Sequence, residues 1–148
     1  MRLAELSERA PILTANLVSL FAKATKTHRI EGEAWYPYVM AVSKEFASTY
    51  RVSLDTVACV IAAISPQCEW TRNLIIADDV LAHRIPSIGG AIHSNIRKAE
   101  QLRDSDYRSE LSEWDISKRM KDTFPVGPKV HAFAHNIAGD LNKVTVDT

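Results

Sequence analysis

VACVIAAI, residues 57–64, is a run of eight residues with no charged side chain. Ser53 lies just before it and suits the N-cap of a helix, where its hydroxyl can accept a backbone hydrogen bond. Asp55 suits the first turn, where the helix dipole favours negative charge. Pro66 ends the run, and a helix that is apolar on every side has no face for water. We therefore predict that residues 57–64 form the buried centre of the fold.

Helical periodicity recurs on both sides of this run, whereas strand patterns are scarce. The predicted helices lie at about 11–24, 32–50, 68–83, 91–104, 116–124 and 129–138, in addition to the central one. Pro37 is expected near the start of its helix, and Gly139 after the end of the last one. The predicted fold class is all-α: a helical bundle in a single domain, with N-terminal helices at 1–50 and a core at 51–148.

Composition restricts the function classes. The 148 residues carry 18 basic and 18 acidic side chains, which argues against a strongly cationic nucleic-acid binder. A local excess remains, because five basic residues and two acidic ones lie between residues 116 and 143. No apolar run reaches the roughly 20 residues that span a bilayer, and the N-terminus does not read as a secretory signal. With two cysteines and no disulfide pattern, the predicted location is the cytoplasm.

The segment with the most chemical content is FPVGPKVHAFAHNIAGDLNKVTVDT, residues 124–148. It predicts a short helix, a hairpin at 124–129 that contains Gly127, and a second helix. Backbone N–H groups at such a hairpin and helix start converge, and together they can bind phosphate without a charged side chain. An ordinary corner between two helices is the structural alternative.

This segment resembles the helix-hairpin-helix DNA glycosylases of the endonuclease III type. PVGPK corresponds to that family's LPGVGxK hairpin, and Val146-Asp147-Thr148 to its aspartate motif. Two further stretches fit in the same order: AAISPQ, residues 62–67, and NIRKAE, residues 95–100. The resemblance covers about residues 50–148, and it implies an all-helical glycosylase fold.

The resemblance also implies roles for single residues. Lys129 and Asp147 fall on the family's catalytic lysine and aspartate. Gln67 falls on the glutamine that enters the DNA near the target base, and Arg72 and Asn73 follow in the same region as candidate cleft contacts. The predicted DNA contacts are completed by Val126, Gly127 and His131. Trp70 lies on the apolar face of its helix and is assigned to the core.

These residue types suit the removal of a base. Breaking an N-glycosidic bond builds positive charge on the sugar, which a carboxylate stabilises. A neutral lysine amine can attack C1′ and form a Schiff base, and the positive end of a helix dipole favours the neutral form. Each residue has a structural alternative: Lys129 can be a solvated side chain, and Asp147 can cap a helix. His131 and His135 stand one turn apart, but no third ligand has suitable spacing, so neither a metal nor another cofactor is predicted.

The sequence also departs from the family. Pro125 replaces the first hairpin glycine, Pro128 removes another N–H donor, and the iron–sulfur cysteines are absent. Nothing follows Thr148, where the family continues, which predicts a truncated or minimal form whose Asp147 is loosely held until a partner covers that side. An unusual branch that acts on modified bases of phage-like DNA fits these departures. The competing hypothesis is a non-catalytic helix-hairpin-helix module that binds DNA backbone or a protein. If the glycosylase reading is right, Gln67, Lys129 and Asp147 should line one groove.

Overall fold

The computed structural model of the chain describes residues 15–16, 18–19, 22–105 and 128–139. Within these residues the structure consists of α-helices, turns and irregular loops, without β-strands. The helices are α1 (Lys26–Tyr50), α2 (Leu54–Ile64), α3 (Trp70–Leu81), α4 (His93–Asp104) and α5 (Pro128–Ile137). The predicted all-α class is confirmed for this part of the chain.

Helix α1 begins earlier than the predicted start at residue 32. Thr25 caps it, since its hydroxyl accepts the His28 N–H at 3.2 Å and its carbonyl accepts the Arg29 N–H at 3.1 Å. Pro37 consequently lies in the helix interior, and its placement near the helix start was wrong. Proline leaves the carbonyl four residues earlier without its helical donor. That carbonyl belongs to Glu33, an exposed residue, so water can take the place of the missing N–H.

Helix α2 is the buried centre that its composition predicts. The Ser53 hydroxyl accepts the Thr56 N–H at 3.1 Å, which confirms the predicted N-cap, and Asp55 lies in the first turn. Every side chain from residue 57 to residue 64 is at most 3% exposed. Burying a valine or isoleucine side chain stabilises a fold by about 1.5–3 kcal/mol, so α2 is a large part of the hydrophobic stabilisation.

Three helices surround α2. It packs against α3, α4 and α5, and α3 also packs against α4. Each of the four helices contributes at least one large, fully buried side chain to the core: Ile61, Ile64, Ile76, Leu102 and Ile137. Because three helices pack against α2, the position of its C-terminal end is well defined, and the next turn begins there.

Helix α5 ends as predicted. Gly139 has a φ of 104°, a conformation that glycine adopts without strain, and its N–H donates to the carbonyl of Asn136 at 3.1 Å. A Cβ atom on Gly139 would approach Met40 Cε to 3.0 Å, so the site also favours glycine by space. The Asn136 amide donates to the Tyr36 hydroxyl at 3.2 Å, which ties α5 to α1.

Contacts divide the chain into two compact units, Met1–Trp35 and Tyr36–Thr148. The boundary falls inside α1, just before Pro37, whereas the sequence analysis separated the N-terminal helices from the core after residue 50. Among the described residues no helix alone combines the length and apolarity needed to cross a bilayer. Helices α1 and α2 together meet that criterion by length and composition, with a bend of 116° between them.

Several predictions fall on other parts of the chain. Residues 15, 16, 18, 19, 22 and 23 are helical, but most of the apolar face predicted at 11–24 lies outside the described residues. The predicted helix at 116–124, the hairpin up to residue 127 and the extended tail after residue 143 also lie outside them.

Candidate nucleic-acid interface

The central helix ends in a tight turn that carries Gln67. The backbone N–H and the hydroxyl of Ser65 both donate to the carbonyl of Ala62, at 3.2 and 2.8 Å. Pro66 and Gln67 follow, and the Cys68 N–H closes the turn on the carbonyl of Ser65 at 3.1 Å. Gln67 is exposed and has a φ of 58°. Proline before a residue of positive φ is the pattern of a type II turn, in which glycine is usual at that second place. Gln67 therefore occupies a strained backbone position with its side chain facing solvent.

Glu69 closes the start of α3. Its Oε1 accepts the Thr71 N–H at 3.0 Å and its Oε2 accepts the Arg72 N–H at 3.1 Å. These two backbone hydrogen bonds lower the pKa of the Glu69 carboxyl below its usual value. The helix was predicted to begin at residue 68, and the carboxylate cap explains why it begins at Trp70. Trp70 itself, assigned to the core by sequence, is half-buried.

Arg72 is exposed on the first turn of α3, as a cleft contact requires. Its Nη1 donates to the carbonyl of Gly89 at 3.0 Å. Its stem lies against Gly90, where an added Cβ atom would come within 2.8 Å of Arg72 Cδ. No carboxylate of the described residues lies within ion-pair distance of Arg72. The guanidinium is thus fixed on the loop before α4 without being neutralised by an ion pair.

Asn73 corrects a sequence prediction. It was expected to contact DNA, but its side chain is 1% exposed and inaccessible in this structure. Its Nδ2 donates to the carbonyl of Ile61 at 3.0 Å, so it satisfies one of the carbonyls left open at the end of α2. Its Oδ1 is buried without a partner among the described residues. Polar residue type did not reveal the burial, because Asn73 lies on the side of α3 that faces α2.

The first turns of α5 carry Lys129 and His131. Lys129 is exposed at the second helical residue, and His131, two residues further on, is half-buried. The rings of His131 and His135 have centroids 4.8 Å apart and are tilted by 58°. Within the described residues no group of three or more His, Cys, Asp or Glu side chains is placed to hold a metal ion.

The elements that carry these residues share one packing partner. Gln67 follows α2, Arg72 belongs to α3 and Lys129 to α5, and both α3 and α5 pack on α2. Val126, Gly127 and Asp147 lie outside the described residues, so the common groove of Gln67, Lys129 and Asp147 stays a prediction.

Sequence reasoning missed a buried acidic centre at the end of α3. Asp79 is 5% exposed, and its carboxylate accepts three hydrogen bonds from Ser87 and Arg84. The Ser87 N–H and hydroxyl reach its Oδ2 at 2.8 and 2.7 Å, and Arg84 Nε reaches its Oδ1 at 3.0 Å. These bonds, led by that from the Ser87 N–H, lower the pKa of Asp79 below its usual value. An acid near a helix C-terminus opposes the dipole, which was the signal that it has another partner.

A second acid extends this centre toward α1. Asp78 pairs with Arg84 Nη2 at 2.7 Å and accepts a hydrogen bond from the Tyr50 hydroxyl. Burial, followed by the hydrogen bond to Asp78, raises the pKa of Tyr50. The two acids thereby fix residues 84–87, the first part of the loop whose second part supports Arg72.

Comparison with protein families gives one result for the chain. The model of a family described as Family of unknown function (DUF7178) matches residues 3–148. The chain belongs to this family. Comparisons with curated proteins and with solved structures gave no match. Since the family description names no activity, any functional proposal depends on the residues themselves.

Proposed function

We propose that this chain is a DNA N-glycosylase of the helix-hairpin-helix type, which removes a damaged or modified base and forms a Schiff base with the resulting sugar. Gln67 carries the proposal. It is an exposed residue in a strained turn that follows the most buried helix. Ser65 hydrogen-bonds to the end of α2 before this turn, and Glu69 caps the start of α3 after it. Strained residues concentrate at functional sites, and an exposed polar side chain on a tight turn suits insertion beside an extruded base.

The proposed chemistry assigns separate roles to two residues. Lys129 attacks C1′ of the sugar, and Asp147 stabilises the positive charge that builds there. Arg72 and His131 contact the DNA backbone, as does the hairpin at Val126 and Gly127. The proposed partners are duplex DNA with a flipped base and a protein. The proposed location is the cytoplasm.

The exposure of Lys129 favours a second candidate function. An exposed amine is solvated, whereas a Schiff-base nucleophile works best where burial favours its neutral form. A non-catalytic module that binds DNA backbone or a protein would retain the helices and the exposed lysine without the chemistry. The formal net charge of zero fits moderate rather than strong DNA binding.

Borohydride trapping on duplex DNA with an abasic site separates the two functions. The glycosylase proposal expects a covalent adduct with the unaltered chain and none with Lys129→Ala. Lys44→Ala, which removes another exposed lysine, is the matched control and should keep the adduct. Duplex binding without any adduct would rule out the Schiff base and leave the binding module or a glycosylase that forms no covalent intermediate, which release of a base from DNA would distinguish. A chain that neither binds nor traps DNA would contradict both functions.

Gln67→Gly tests the role of the turn directly. Glycine adopts positive φ without strain, so this change should stabilise the fold by about 1 kcal/mol. It should also abolish base extrusion, measured by the fluorescence of 2-aminopurine in duplex DNA. A variant that is more stable and still extrudes the base would remove Gln67 from the mechanism.

A further inference from the structure

The Arg72 side chain is held in one conformation although it is exposed. Its Nη1 donates to the carbonyl of Gly89 at 3.0 Å, and its Cδ would lie 2.8 Å from a Cβ atom added to Gly90. The arginine stem therefore lies directly against the Gly90 backbone. The guanidinium makes no ion pair with the described residues. Arg72 is thus fixed by backbone contacts alone, and it retains its charge and further N–H donors for a ligand.

Arg97 on α4 is an exposed arginine of the opposite kind. It makes no hydrogen bond or ion pair within the part of the chain that the structure describes. A ligand that bonds to such a side chain must first restrict its rotamers, which opposes binding. Arg72 has lost much of this freedom during folding, so a ligand that bonds to Arg72 meets a smaller entropic cost.

The loop that holds Arg72 is attached to α3 at a second point. The Ser87 N–H and hydroxyl both donate to Asp79 Oδ2, at 2.8 and 2.7 Å, and Asp79 is 5% exposed. Asp79 and Arg72 are about two helical turns apart on α3, so they lie on nearly the same side of that helix. Because Ser87 is bonded to Asp79, the Gly89 carbonyl two residues later has a defined position along α3.

The glycines of this loop are unfavourable for the fold unless their properties are used. Glycine loses more conformational freedom on folding than any other residue. Gly90 has a φ of 120°, which other residues rarely adopt, and a Cβ atom there would collide with the stem of Arg72. The position therefore requires glycine both for its backbone conformation and for the space that Arg72 occupies.

We propose that Gly90 and the bonded pair of Ser87 and Asp79 are positioning residues for a DNA contact, because they hold Arg72 in its binding conformation before DNA arrives. The inference rests on the proposed function, in which Arg72 contacts the DNA backbone, and it adds residues that touch no DNA themselves. With one N–H on Gly89, the guanidinium still has enough donors to bind a phosphate through two parallel hydrogen bonds. Arg72 should consequently contribute more to DNA affinity than Arg97.

The order of the Arg72 side chain is measured without DNA. In the ¹⁵N-labelled full chain, the heteronuclear NOE of Arg72 Nε should be close to that of backbone amides, and that of Arg97 Nε should be much lower. Gly90→Ala displaces the arginine stem and should lower the Arg72 value toward that of Arg97. Gly139→Ala is the matched control, because Gly139 also has a positive φ, 104°, and it should leave the Arg72 value unchanged. Equal mobility of Arg72 and Arg97 in the unaltered chain would overturn the proposal.

A double-mutant cycle connects this order to binding of duplex DNA with an abasic site. Arg72→Gln should weaken binding about tenfold, and Gly90→Ala about three- to tenfold. In a chain that already carries Arg72→Gln, Gly90→Ala should change the affinity by less than about twofold, because no guanidinium remains to be positioned. A purely structural role of Gly90 would give the same factor in both chains and would overturn the proposal.

Ser87→Ala and Ser87→Thr test the second attachment point. Ser87→Ala removes the hydroxyl donor to Asp79 and should weaken duplex binding about two- to threefold, again only while Arg72 is present. Ser87→Thr keeps the hydroxyl and should restore the affinity of the unaltered chain. Circular dichroism confirms that each variant is folded before affinities are compared. Equal binding by the two Ser87 variants would remove this pair from the proposal.

The same measurements distinguish failure of this inference from failure of the proposed function. A chain that binds and traps DNA but gives an additive cycle would contradict the positioning and leave the glycosylase proposal intact. Duplex binding without an adduct, together with a non-additive cycle, would support the positioning and contradict the Schiff base. A chain that does not bind duplex DNA would contradict both, even if Arg72 is well ordered.

Discussion

Helices α3 and α4 pack on the same central helix and begin in opposite ways. The start of α3 is closed by the Glu69 carboxylate, which accepts two backbone N–H groups. The start of α4 follows Gly89, Gly90 and Ala91, and Ile92 offers no side-chain acceptor. Both helices have 12 residues, so length does not explain the contrast. The first N–H groups of α4 therefore lack the side-chain acceptor that those of α3 have.

The two starts also differ in how their chains are anchored. Helix α3 is anchored directly, because its Asn73 side chain donates a hydrogen bond to a carbonyl in the last turn of α2. Helix α4 is reached through a loop whose anchor is Asp79, bonded to Ser87 and Arg84. Variants that change one helix start or one anchoring side chain at a time test this contrast, and the variant with the largest expected loss of stability comes first.

Asp79→Ala should have the largest effect. It removes a buried carboxylate that accepts bonds from Ser87 and Arg84, and it leaves these donors to find water. We expect a loss of about 2–4 kcal/mol in the free energy of unfolding, measured in urea. Because the pKa of Asp79 is lowered in the folded state, this stability is present above the pKa of the unfolded chain and is lost as pH falls through the folded value.

The control for this change is Asp104→Ala. Asp104 is also acidic and pairs with Arg103, but its side chain is 57% exposed. An exposed ion pair contributes little, so the variant should stay close to the unaltered chain. Equal losses for the two variants would mean that the Asp79 centre does not anchor the loop before α4.

Asn73→Ala comes next, since it loosens the anchor of α3. The change frees the carbonyl of Ile61 inside the core and also removes an amide oxygen that has no partner. The first effect destabilises and the second offsets part of it, so we expect a net loss of about 1–2 kcal/mol. Chemical denaturation of Asn73→Ala and Asn73→Asp checks this. A gain in stability for alanine would contradict the role of Asn73 in anchoring α3 to α2.

Glu69→Gln opens the start of α3 and makes it resemble that of α4. The neutral amide keeps one acceptor oxygen where the carboxylate has two, so the melting temperature at pH 7 should fall by a few degrees. The pKa of Glu69 is lowered in the folded state, so its contribution is present above the unfolded pKa and is lost as pH falls through the folded pKa. The difference in melting temperature should therefore shrink in acid. A difference that is constant with pH would contradict the charged cap.

The sequence predicted the helices and caps whose signals are local, but it did not predict the features that depend on tertiary contacts. Residues 57–64 are apolar on every side of a helix, which predicts burial. Ser53 suits an N-cap, and Gly139 suits the residue of positive φ after a helix end. The start of α1 was misplaced because Pro37 was read as a start signal while Thr25, a weaker cap residue, was the true one.

The candidate site was predictable only in part for the same reason. The polar stretch after Pro66 did lead to Gln67 and Arg72, both of which are exposed. Asn73 looks the same in sequence, yet the helix turns it toward α2. The position of Arg72 against Gly90 was not predictable, because it exists only after folding.

The smallest effect gives the most direct comparison of the two helix starts. Ser94 and Thr71 occupy the same place, the second residue of α4 and of α3, and both are exposed. Ser94→Glu should stabilise the fold by about 0.3–1 kcal/mol relative to Ser94→Gln, because the new carboxylate lies at a helix start without an acid in its first turn. Thr71→Glu should gain less over Thr71→Gln, since Glu69 already supplies negative charge there. The four melting curves should be recorded at low salt, because screening reduces both effects. Equal gains at the two helices would mean that the missing cap leaves the start of α4 no more electropositive than the start of α3.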